Sequence, residues 1–414
     1  MENPNVQRSC EQWNVDFMNF LVNSQRLTQW RPTGGPELMY IALSHESCDL
    51  DSVVSTLAIA YLRFRNPGNL QHHFMPVLNM LRRDYATKTE VRFLLDKQQI
   101  TPERHLVFRD DVPEELLLRC RFILVNHHVS PFHYCTEEVY DYRPYQCEAA
   151  RLPIYCQRIM HPMRSCAALI TERYDSTVYN YANVRCQRIF ELLHAALLLQ
   201  NCNYAQHAPE ELPLVRDYQL LLFLEKQLGE LQPLQRTMLY ETLATAMFDL
   251  NDLTLPQVLR REFKLLRANN GSHLVRIAQC CFPMAVTRFI SFEFAQLALQ
   301  QFAAEHNCDF ILLLGNSIQA KGDLVIKELG LIPLDALRNI EDRRFFDHLI
   351  INLNSSMDPI LGLEPYRGLD FMHGAYFFVN VWHIQYCDML HLMQRITYNW
   401  VAEDNCPTQA SQSL

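Results

Sequence analysis

The chain has 414 residues, of which 49% are hydrophobic and 20% are charged, and its formal net charge at pH 7 is −9. Such a length suggests two domains, each with a core of its own, and such a composition is that of an ordinary soluble globular protein. The acidic balance argues against nucleic acid as the main partner, because a duplex-binding surface is normally basic.

The amino-terminal stretch and the cysteines predict a cytoplasmic protein. The stretch MENPNVQRSCEQWNVDF is polar and lacks the apolar core of a signal peptide. The 14 cysteines are scattered and include no CxxC pair, so we expect reduced thiols. No apolar run reaches membrane-spanning length without a charge, so we expect no membrane partner.

The first half of the chain alternates between strand and helix patterns. The apolar runs LMYIALS, HLVFRD and RFILVNHH predict strands. The stretches SVVSTLAIAYLRF, SCAALITERY and RCQRIFELLHAALLL have helical periodicity. This alternation predicts an α/β domain built on a mostly parallel sheet with helices on both faces.

A polar, proline-containing stretch, NYAQHAPEELPLVRD, predicts the domain boundary. We therefore expect a first domain over 1–210, a second over 216–400 and a tail over 401–414. Helices are expected from DYQLLLFLEKQLGEL to LPQVLRREFKLLR and again at FEFAQLALQQFAAEH. Strands are expected at CDFILLLG, HLIINLN and GAYFFVNVW. The second domain is thus predicted to be a smaller α/β domain with a mixed sheet, and the active-site cleft is expected between the two domains.

Polar clusters follow three of the predicted strands. His45, Asp49 and Asp51 follow the first strand, Asp110 follows the second, and the stretch Asn126-His127-His128 follows the third. Open α/β sheets bind ligands at the carboxyl ends of their strands. Each cluster has a simpler structural explanation when it is taken alone, such as Asp51 capping the next helix. Together, at three strand ends, they predict a site for divalent ions such as Mn²⁺, two of which can polarise a phosphoryl group.

The stretches CDLDSVVSTLAIAYL, FRDDVPEELL, LVNHHVS, VYDYRP and SCAALITERY together resemble the prune proteins. These belong to the DHH phosphoesterase superfamily, with exopolyphosphatases and manganese-dependent inorganic pyrophosphatases. The resemblance covers residues 38–205 and continues more weakly to about residue 395, as a DHH-associated domain. It implies hydrolysis of pyrophosphate, short-chain polyphosphate or a cyclic nucleotide, and it implies nucleoside diphosphate kinase as a protein partner.

The resemblance also implies which residues bind two Mn²⁺ or Mg²⁺ ions. Each ion would have three of these ligands: His45, Asp49 and Asp110 for the first, and Asp51, Asp110 and His127 for the second. His128 would act as an acid or electrostatic partner beside the substrate phosphate.

Further residues would bind phosphate groups of the substrate. Ser165 and the helix that it precedes could hold an anion. In the second domain the basic stretch LRREFK places Arg260, Arg261 and Lys264 as charged donors. A solvated helix face is the simpler explanation of these three side chains.

The sequence departs from the family pattern at several of these positions. Asn126 stands where the first aspartate of the DHH motif is expected, and it could still orient a histidine. Gln200 stands where a metal-binding aspartate is expected, so the second ion would bind more weakly and only one ion could remain bound. Tyr142 replaces a histidine, and Arg164 replaces a glycine. Relatives have a second basic run in this domain, and in this sequence His383 is the one candidate cation at that place.

Two functions of different class follow from this pattern. The first is a metal-dependent phosphohydrolase with reduced activity, and we favour it because Asp110, His45 and His127 are all retained. The alternative is a catalytically dead protein of the same fold that binds and regulates a partner such as nucleoside diphosphate kinase. A nuclease is disfavoured by the acidic net charge and by the lack of a groove with aromatic and basic side chains.

Overall fold

A computed structural model describes residues 9–31, 37–143, 151–175, 184–204, 212–229, 233–269, 274–318, 324–334, 340–381, 384 and 386–404. The chain divides into two compact units, residues 1–249 and 250–414. The structure contains two six-stranded sheets, one in each unit. Within the described ranges, no helix combines the length and the apolar character needed to cross a membrane.

The sheet of the first unit is parallel throughout. Its strands are β1 (Met39–Leu43), β2 (His73–Leu78), β3 (Val107–Phe108), β4 (Arg121–Val125), β5 (Thr136–Tyr140) and β6 (Gln157–Ile159). They lie in the order β3-β2-β1-β4-β5-β6, and every neighbouring pair is parallel. The chain runs outward to one side from β1 and to the other side from β4. The crevice at the carboxyl ends of β1 and β4 is therefore the switch point where such sheets bind ligands.

Helices cover both faces of this sheet, as predicted. The helices of the first unit are α1 (Cys10–Arg26), α2 (Leu50–Arg65), α3 (Thr89–Lys97), α4 (Pro102–His105), α5 (Glu114–Leu117), α6 (Cys166–Tyr174), α7 (Gln187–Gln200), α8 (Leu212–Gln227) and α9 (Pro233–Phe248). Along β4, Ile123 and Val125 belong to the core cluster that contains α2, α6 and α7, whereas Phe122 and Leu124 belong to the cluster on the opposite face. Burial on both faces explains why the strand sequence is apolar without alternation.

The first unit ends later in the chain than the sequence predicted. Leu221 of α8 and Leu243 of α9 are fully buried in the same core as α7. A buried network joins the three helices, because Glu225 accepts from His194 at 3.2 Å and from Arg236 at 2.7 Å. The polar stretch at 203–217 predicted a boundary, but the apolar faces of α8 and α9 complete the first core, so the division falls after Asp249.

The second unit contains the predicted mixed sheet. Its helices are α10 (Leu255–Arg260), α11 (Val286–Ile290), α12 (Ala295–His306), α13 (Ile340–Asn354) and α14 (Tyr386–Asp404). Its strands are β7 (Glu262–Asn269), β8 (Leu274–Phe282), β9 (Phe310–Ile318), β10 (Leu324–Pro333), β11 (Leu363–Pro365) and β12 (Ala375–Val379). The order is β11-β12-β10-β9-β8-β7, in which β8 and β9 are parallel and all other pairs are antiparallel.

Three local predictions in the second unit were wrong. HLIINLN was expected to be a strand, but it ends α13, where Phe345, Leu349 and Leu353 are fully buried at helical spacing. EFKLLR was expected to be helical, but it lies in β7, where buried Leu266 and Ala268 flank exposed Arg267. The expected tail over 401–414 begins inside α14, which extends to Asp404. The predicted cleft between the two domains stays a prediction.

The burial pattern of α8 predicts that this helix stabilises the first unit. Replacing Leu221, which is fully buried, with alanine should lower the free energy of unfolding by about 2–5 kcal/mol, because it leaves a cavity in the shared core. The neighbouring Leu222→Ala should change it by about 0.5 kcal/mol or less, since Leu222 is 44% exposed. Urea unfolding of both variants measures the difference. Equal effects would contradict the placement of α8 in this core.

Candidate functional site

Two of the predicted clusters meet at the switch point of the first sheet. His45 follows β1 and His127 follows β4, and these strands are neighbours in the sheet. The two imidazole rings lie 5.9 Å apart between centroids, edge to face. The sequence-based expectation that strand-end residues come together therefore holds for these two histidines.

The loop between β1 and α2 is closed by hydrogen bonds among its own side chains. The backbone N–H of Ser47 donates to Nδ1 of His45 at 3.1 Å, and the Ser47 hydroxyl donates to Oδ2 of Asp49 at 2.8 Å. Oδ1 of Asp49 accepts from the backbone N–H of Ser52 at 2.8 Å, which makes Asp49 the N-cap of α2.

Asp49 stays ionised more readily than its burial suggests. Burial acts to raise the pKa of Asp49, but the hydrogen bond from Ser52 and the neighbouring His45 outweigh it and hold that pKa below its ordinary value. Asp49 is therefore an anion whose negative charge is already partly compensated by hydrogen bonds from Ser47 and Ser52.

Asp51 caps a different helix, far along the chain. Its Oδ2 accepts from the backbone N–H of Cys166 at 2.8 Å, and its Oδ1 accepts from that of Ala167 at 2.7 Å. Both carboxylate oxygens thus bind the first turn of α6, where the helix dipole favours an anion. The side chain is buried, and burial, followed by the charge of Asp49, raises the pKa of Asp51 to about 7.

The amino-terminal turn of α6 has internal acceptors for its other N–H groups as well. The hydroxyl of Ser165 accepts from the backbone N–H of Ala168 at 3.0 Å, as a helix N-cap. The backbone N–H of Arg164 donates to Oδ2 of Asp217 at 3.1 Å. A substrate phosphate at Ser165, as predicted, would have to displace these acceptors.

Asp110 lies apart from the switch point. It follows β3 in the short 3₁₀ turn Arg109–Asp111, is exposed, and accepts from the backbone N–H of Arg82 at 3.0 Å. β2 separates β3 from β1, so the strand ends are about 10 Å apart at the usual strand spacing. The bridging role expected for Asp110 stays a prediction.

His127 is a neutral imidazole with a defined tautomer. It is buried, its Nδ1 donates to the carbonyl of Val125 at 3.0 Å, and Nε2 therefore carries the lone pair. Burial lowers the pKa of His127 to about 4. Asn126 does not orient this ring, because its amide donates instead to the hydroxyl of Ser52 at 2.7 Å.

His128 forms a buried pair that the sequence analysis did not assign. Its Nδ1 lies 2.6 Å from Oδ2 of Asp141, and the two side chains are 3% and 0% exposed. Oδ1 of Asp141 accepts from Nε of Arg143 at 3.1 Å and from the backbone N–H of Arg143 at 3.2 Å. The signal that could have revealed this pair is the position of Asp141, which directly follows the strand next to β4 in the stretch VYDYRP.

Two departures from the family pattern contact each other. Nε2 of Gln200, the last residue of α7, lies 3.5 Å from the hydroxyl of Tyr142. Burial raises the pKa of Tyr142, and the charges of Asp51 and Asp49 raise it further. A phenol and an amide thus meet where the resemblance implied a histidine and an aspartate.

The basic residues of the second unit do not form a single helix face. Arg260 ends α10 and pairs with Glu305 at 3.2 Å, Arg261 is a buried C-cap residue, and Lys264 lies in β7. Burial lowers the pKa of Lys264. Their role in phosphate binding stays a prediction, and His383 lies outside the described residues.

The side chains do not fit the predicted pair of metal ions. In the part of the chain that the structure describes, no group of three or more His, Cys, Asp or Glu side chains is placed to hold an ion. The contacts explain this result: Asp51 caps α6, Nδ1 of His45 accepts from Ser47, and Asp110 binds Arg82. We therefore assign no chemical step to Mn²⁺ or Mg²⁺.

Comparison with known proteins identifies similar chains. No protein-family model matches. The chain is 28% identical to exopolyphosphatase PRUNE1 of Homo sapiens over 282 residues, which are 66% of this chain and 59% of the relative. It is 27% identical to exopolyphosphatase PRUNE1 of Mus musculus over 308 residues, which are 72% of this chain and 64% of the relative. The chain thus spans less than two thirds of the length of these relatives.

A solved structure has the same fold. It is a Methanococcus jannaschii protein assigned to the family II inorganic pyrophosphatases, with a TM-score of 0.51 and 14% sequence identity. The match covers 87% of this chain and 100% of that one. At this identity the match shows the two-unit α/β fold.

The hydrogen bonds of Asp51 predict a structural role that Asp110 lacks. Asp51→Ala should lower the free energy of unfolding by about 2–5 kcal/mol, because two buried N–H groups of α6 lose their acceptor. Asp110→Ala should cost about 1 kcal/mol or less, because Asp110 is exposed. Urea unfolding without metal compares the two. A larger loss for Asp110→Ala would show that the contacts of Asp51 do not stabilise the fold.

The low pKa of His127 predicts acid sensitivity. An unfolded chain binds this proton near pH 6.5 and the folded chain only near pH 4, so the stability due to neutral His127 is lost as the pH falls between these values. Between pH 7 and pH 4.5, His127→Gln should lose about 2 kcal/mol less unfolding free energy than the wild type in metal-free buffer. His133→Gln is the control and should behave as the wild type. Identical losses in all three proteins would contradict the assignment.

Proposed function

The chain belongs to the prune group of the DHH phosphoesterase superfamily, and on that premise we propose that it is a phosphohydrolase. The proposed substrates are pyrophosphate, short-chain polyphosphate or a cyclic nucleotide. Similarity to exopolyphosphatases and the position of the histidines at the switch point support the proposal. The observation that carries it is the buried pair of His128 and Asp141.

The pair is suited to proton transfer. Nδ1 of His128 donates to Asp141, and in the proposed step the imidazolium form of His128 gives the proton on Nε2 to a leaving phosphate oxygen. Arg143 donates to the other oxygen of Asp141 and thereby holds this carboxylate in place. Both side chains are shielded from water, and this shielding strengthens the electrostatic interaction between them.

His127 would have a complementary role. Its neutral ring offers the Nε2 lone pair, because Nδ1 is committed to the carbonyl of Val125. A lone pair at this position can accept a hydrogen bond from an attacking water. A requirement for Mn²⁺ or Mg²⁺ stays a prediction, and the assay below therefore includes both ions and a chelator.

Phosphate release tests the proposed hydrolase. The wild type is assayed with pyrophosphate and tripolyphosphate in Mn²⁺, in Mg²⁺ and in chelator. His128→Gln should lower kcat about 10²- to 10⁴-fold through the loss of general acid catalysis, with Asp141→Asn acting in the same direction. His133→Gln, which alters a histidine outside the pair, is the control and should retain activity. The hydrolase is rejected if the wild type releases no phosphate under any condition, or if His128→Gln is as active as the wild type.

A second candidate is a non-catalytic protein that binds and regulates nucleoside diphosphate kinase. The observation in its favour is that Asp51 caps α6 while Tyr142 and Gln200, which replace an expected histidine and an expected aspartate, contact each other. If the wild type releases no phosphate, and if the wild type and His128→Gln both capture the kinase, this candidate is supported. Release that depends on His128 would exclude it.

A further inference from the structure

The guanidinium of Arg143 has a buried donor without an acceptor. Its Nη2 has no hydrogen-bond partner in the described part of the chain, although the side chain as a whole is 36% exposed. Buried polar atoms are normally paired, and a charged group is more costly than a neutral one to leave unpaired. This nitrogen therefore calls for an acceptor that the chain itself does not supply.

Arg143 lies at the same edge of the first sheet as the two histidines. The parallel strands β4 and β5 pair up to Val125 and Tyr140, and the backbone N–H of Asn126 still donates to the carbonyl of Tyr140 at 2.8 Å. Arg143 then follows β5 at the same distance along the chain at which His128 follows β4. Both residues thus lie at the carboxyl ends of neighbouring strands, where such sheets bind ligands.

One buried carboxylate orients both side chains. Oδ2 of Asp141 lies 2.6 Å from Nδ1 of His128, and Oδ1 of Asp141 accepts from Nε of Arg143 at 3.1 Å. Oδ1 also accepts from the backbone N–H of Arg143 at 3.2 Å, in the local turn that aspartate commonly forms with the residue two positions on. Because Asp141 is 0% exposed, it holds the imidazole and the guanidinium side by side.

This arrangement leaves part of the guanidinium for another partner. A guanidinium has five N–H donors in a planar fork, and Asp141 accepts from the one on Nε. The unpartnered Nη2 belongs to the same fork. Such forks bind phosphate oxygens through charge-assisted hydrogen bonds, which are stronger than those between neutral groups. A phosphoryl oxygen is therefore the kind of acceptor that this nitrogen fits.

We propose that Nη2 of Arg143 binds a phosphoryl oxygen of the substrate beside His128. The inference rests on the proposed function, because it names the group that binds the substrate at that same site. Arg143 then contributes to substrate binding, whereas His128 contributes to proton transfer, and Asp141 fixes the two side chains relative to each other. A water molecule is the simplest alternative partner of Nη2, and it predicts that Arg143 does not affect phosphate binding.

Imidodiphosphate tests this role without turnover, because nitrogen replaces the bridging oxygen of pyrophosphate in this analogue. Isothermal titration of the full chain in Mg²⁺ and in chelator measures the affinity. Arg143→Gln should weaken binding roughly 10- to 100-fold, because one charge-assisted hydrogen bond is lost. Arg119→Gln is the matched control and should bind as the wild type, since Arg119 is exposed and precedes β4, at the opposite edge of the sheet.

His128→Gln is the converse control, because it should keep the affinity within about threefold while kcat falls. If Arg143 only positions Asp141, Arg143→Gln will lower kcat and leave the affinity for imidodiphosphate unchanged. That result would overturn the inference, and so would a wild type that binds no imidodiphosphate in either buffer.

Arg143→Lys covers a glutamine variant that does not fold. Lysine keeps the positive charge but has a single ammonium group in place of the fork, so it contacts either Asp141 or the phosphoryl group. Its affinity for imidodiphosphate should be about tenfold weaker, and wild-type affinity would overturn the assignment of Nη2. Binding that depends on Arg143 without phosphate release would refute the hydrolase alone. Phosphate release with binding that is independent of Arg143 would refute this inference alone.

Discussion

The carboxylate of Asp51 connects the two helices on which the site is built. It leaves the first turn of α2 and binds the N–H groups of Cys166 and Ala167 at the start of α6. The helix dipole and two hydrogen bonds stabilise its negative charge, while burial acts against it. This contact fixes where α6 begins relative to the switch point, and Asp217 reinforces it from α8 through Arg164.

The same contact limits what the site can bind. A carboxylate that already accepts hydrogen bonds from a helix terminus is a poor ligand for a metal ion. Nδ1 of His45 likewise accepts a hydrogen bond from its own loop. Tyr142 and Gln200 contact each other and offer a phenol and a neutral amide where the resemblance implied a histidine and an aspartate. In the proposed function the substrate instead meets two histidines that follow β4, one neutral and one bound to Asp141.

The architecture therefore favours the proposed hydrolase, whereas the substitutions favour the non-catalytic candidate. The similarity to exopolyphosphatases supports the proposed phosphate substrate, which would bind at the carboxyl ends of β1 and β4. The internal hydrogen bonds explain how the same fold could retain binding while its chemistry is reduced.

The sequence by itself determined the α/β class, the central strands β1 and β4 and the order of the strand-end clusters, because unbroken apolar runs and helical periodicity are local properties. It misjudged HLIINLN and the boundary near residue 210, where burial against a distant core decides the outcome. Only the tertiary structure decided that Asp51 caps α6 and that Tyr142 meets Gln200. These partners are 115 and 58 residues apart, so their contacts exist only once the sheet has brought its strand ends together.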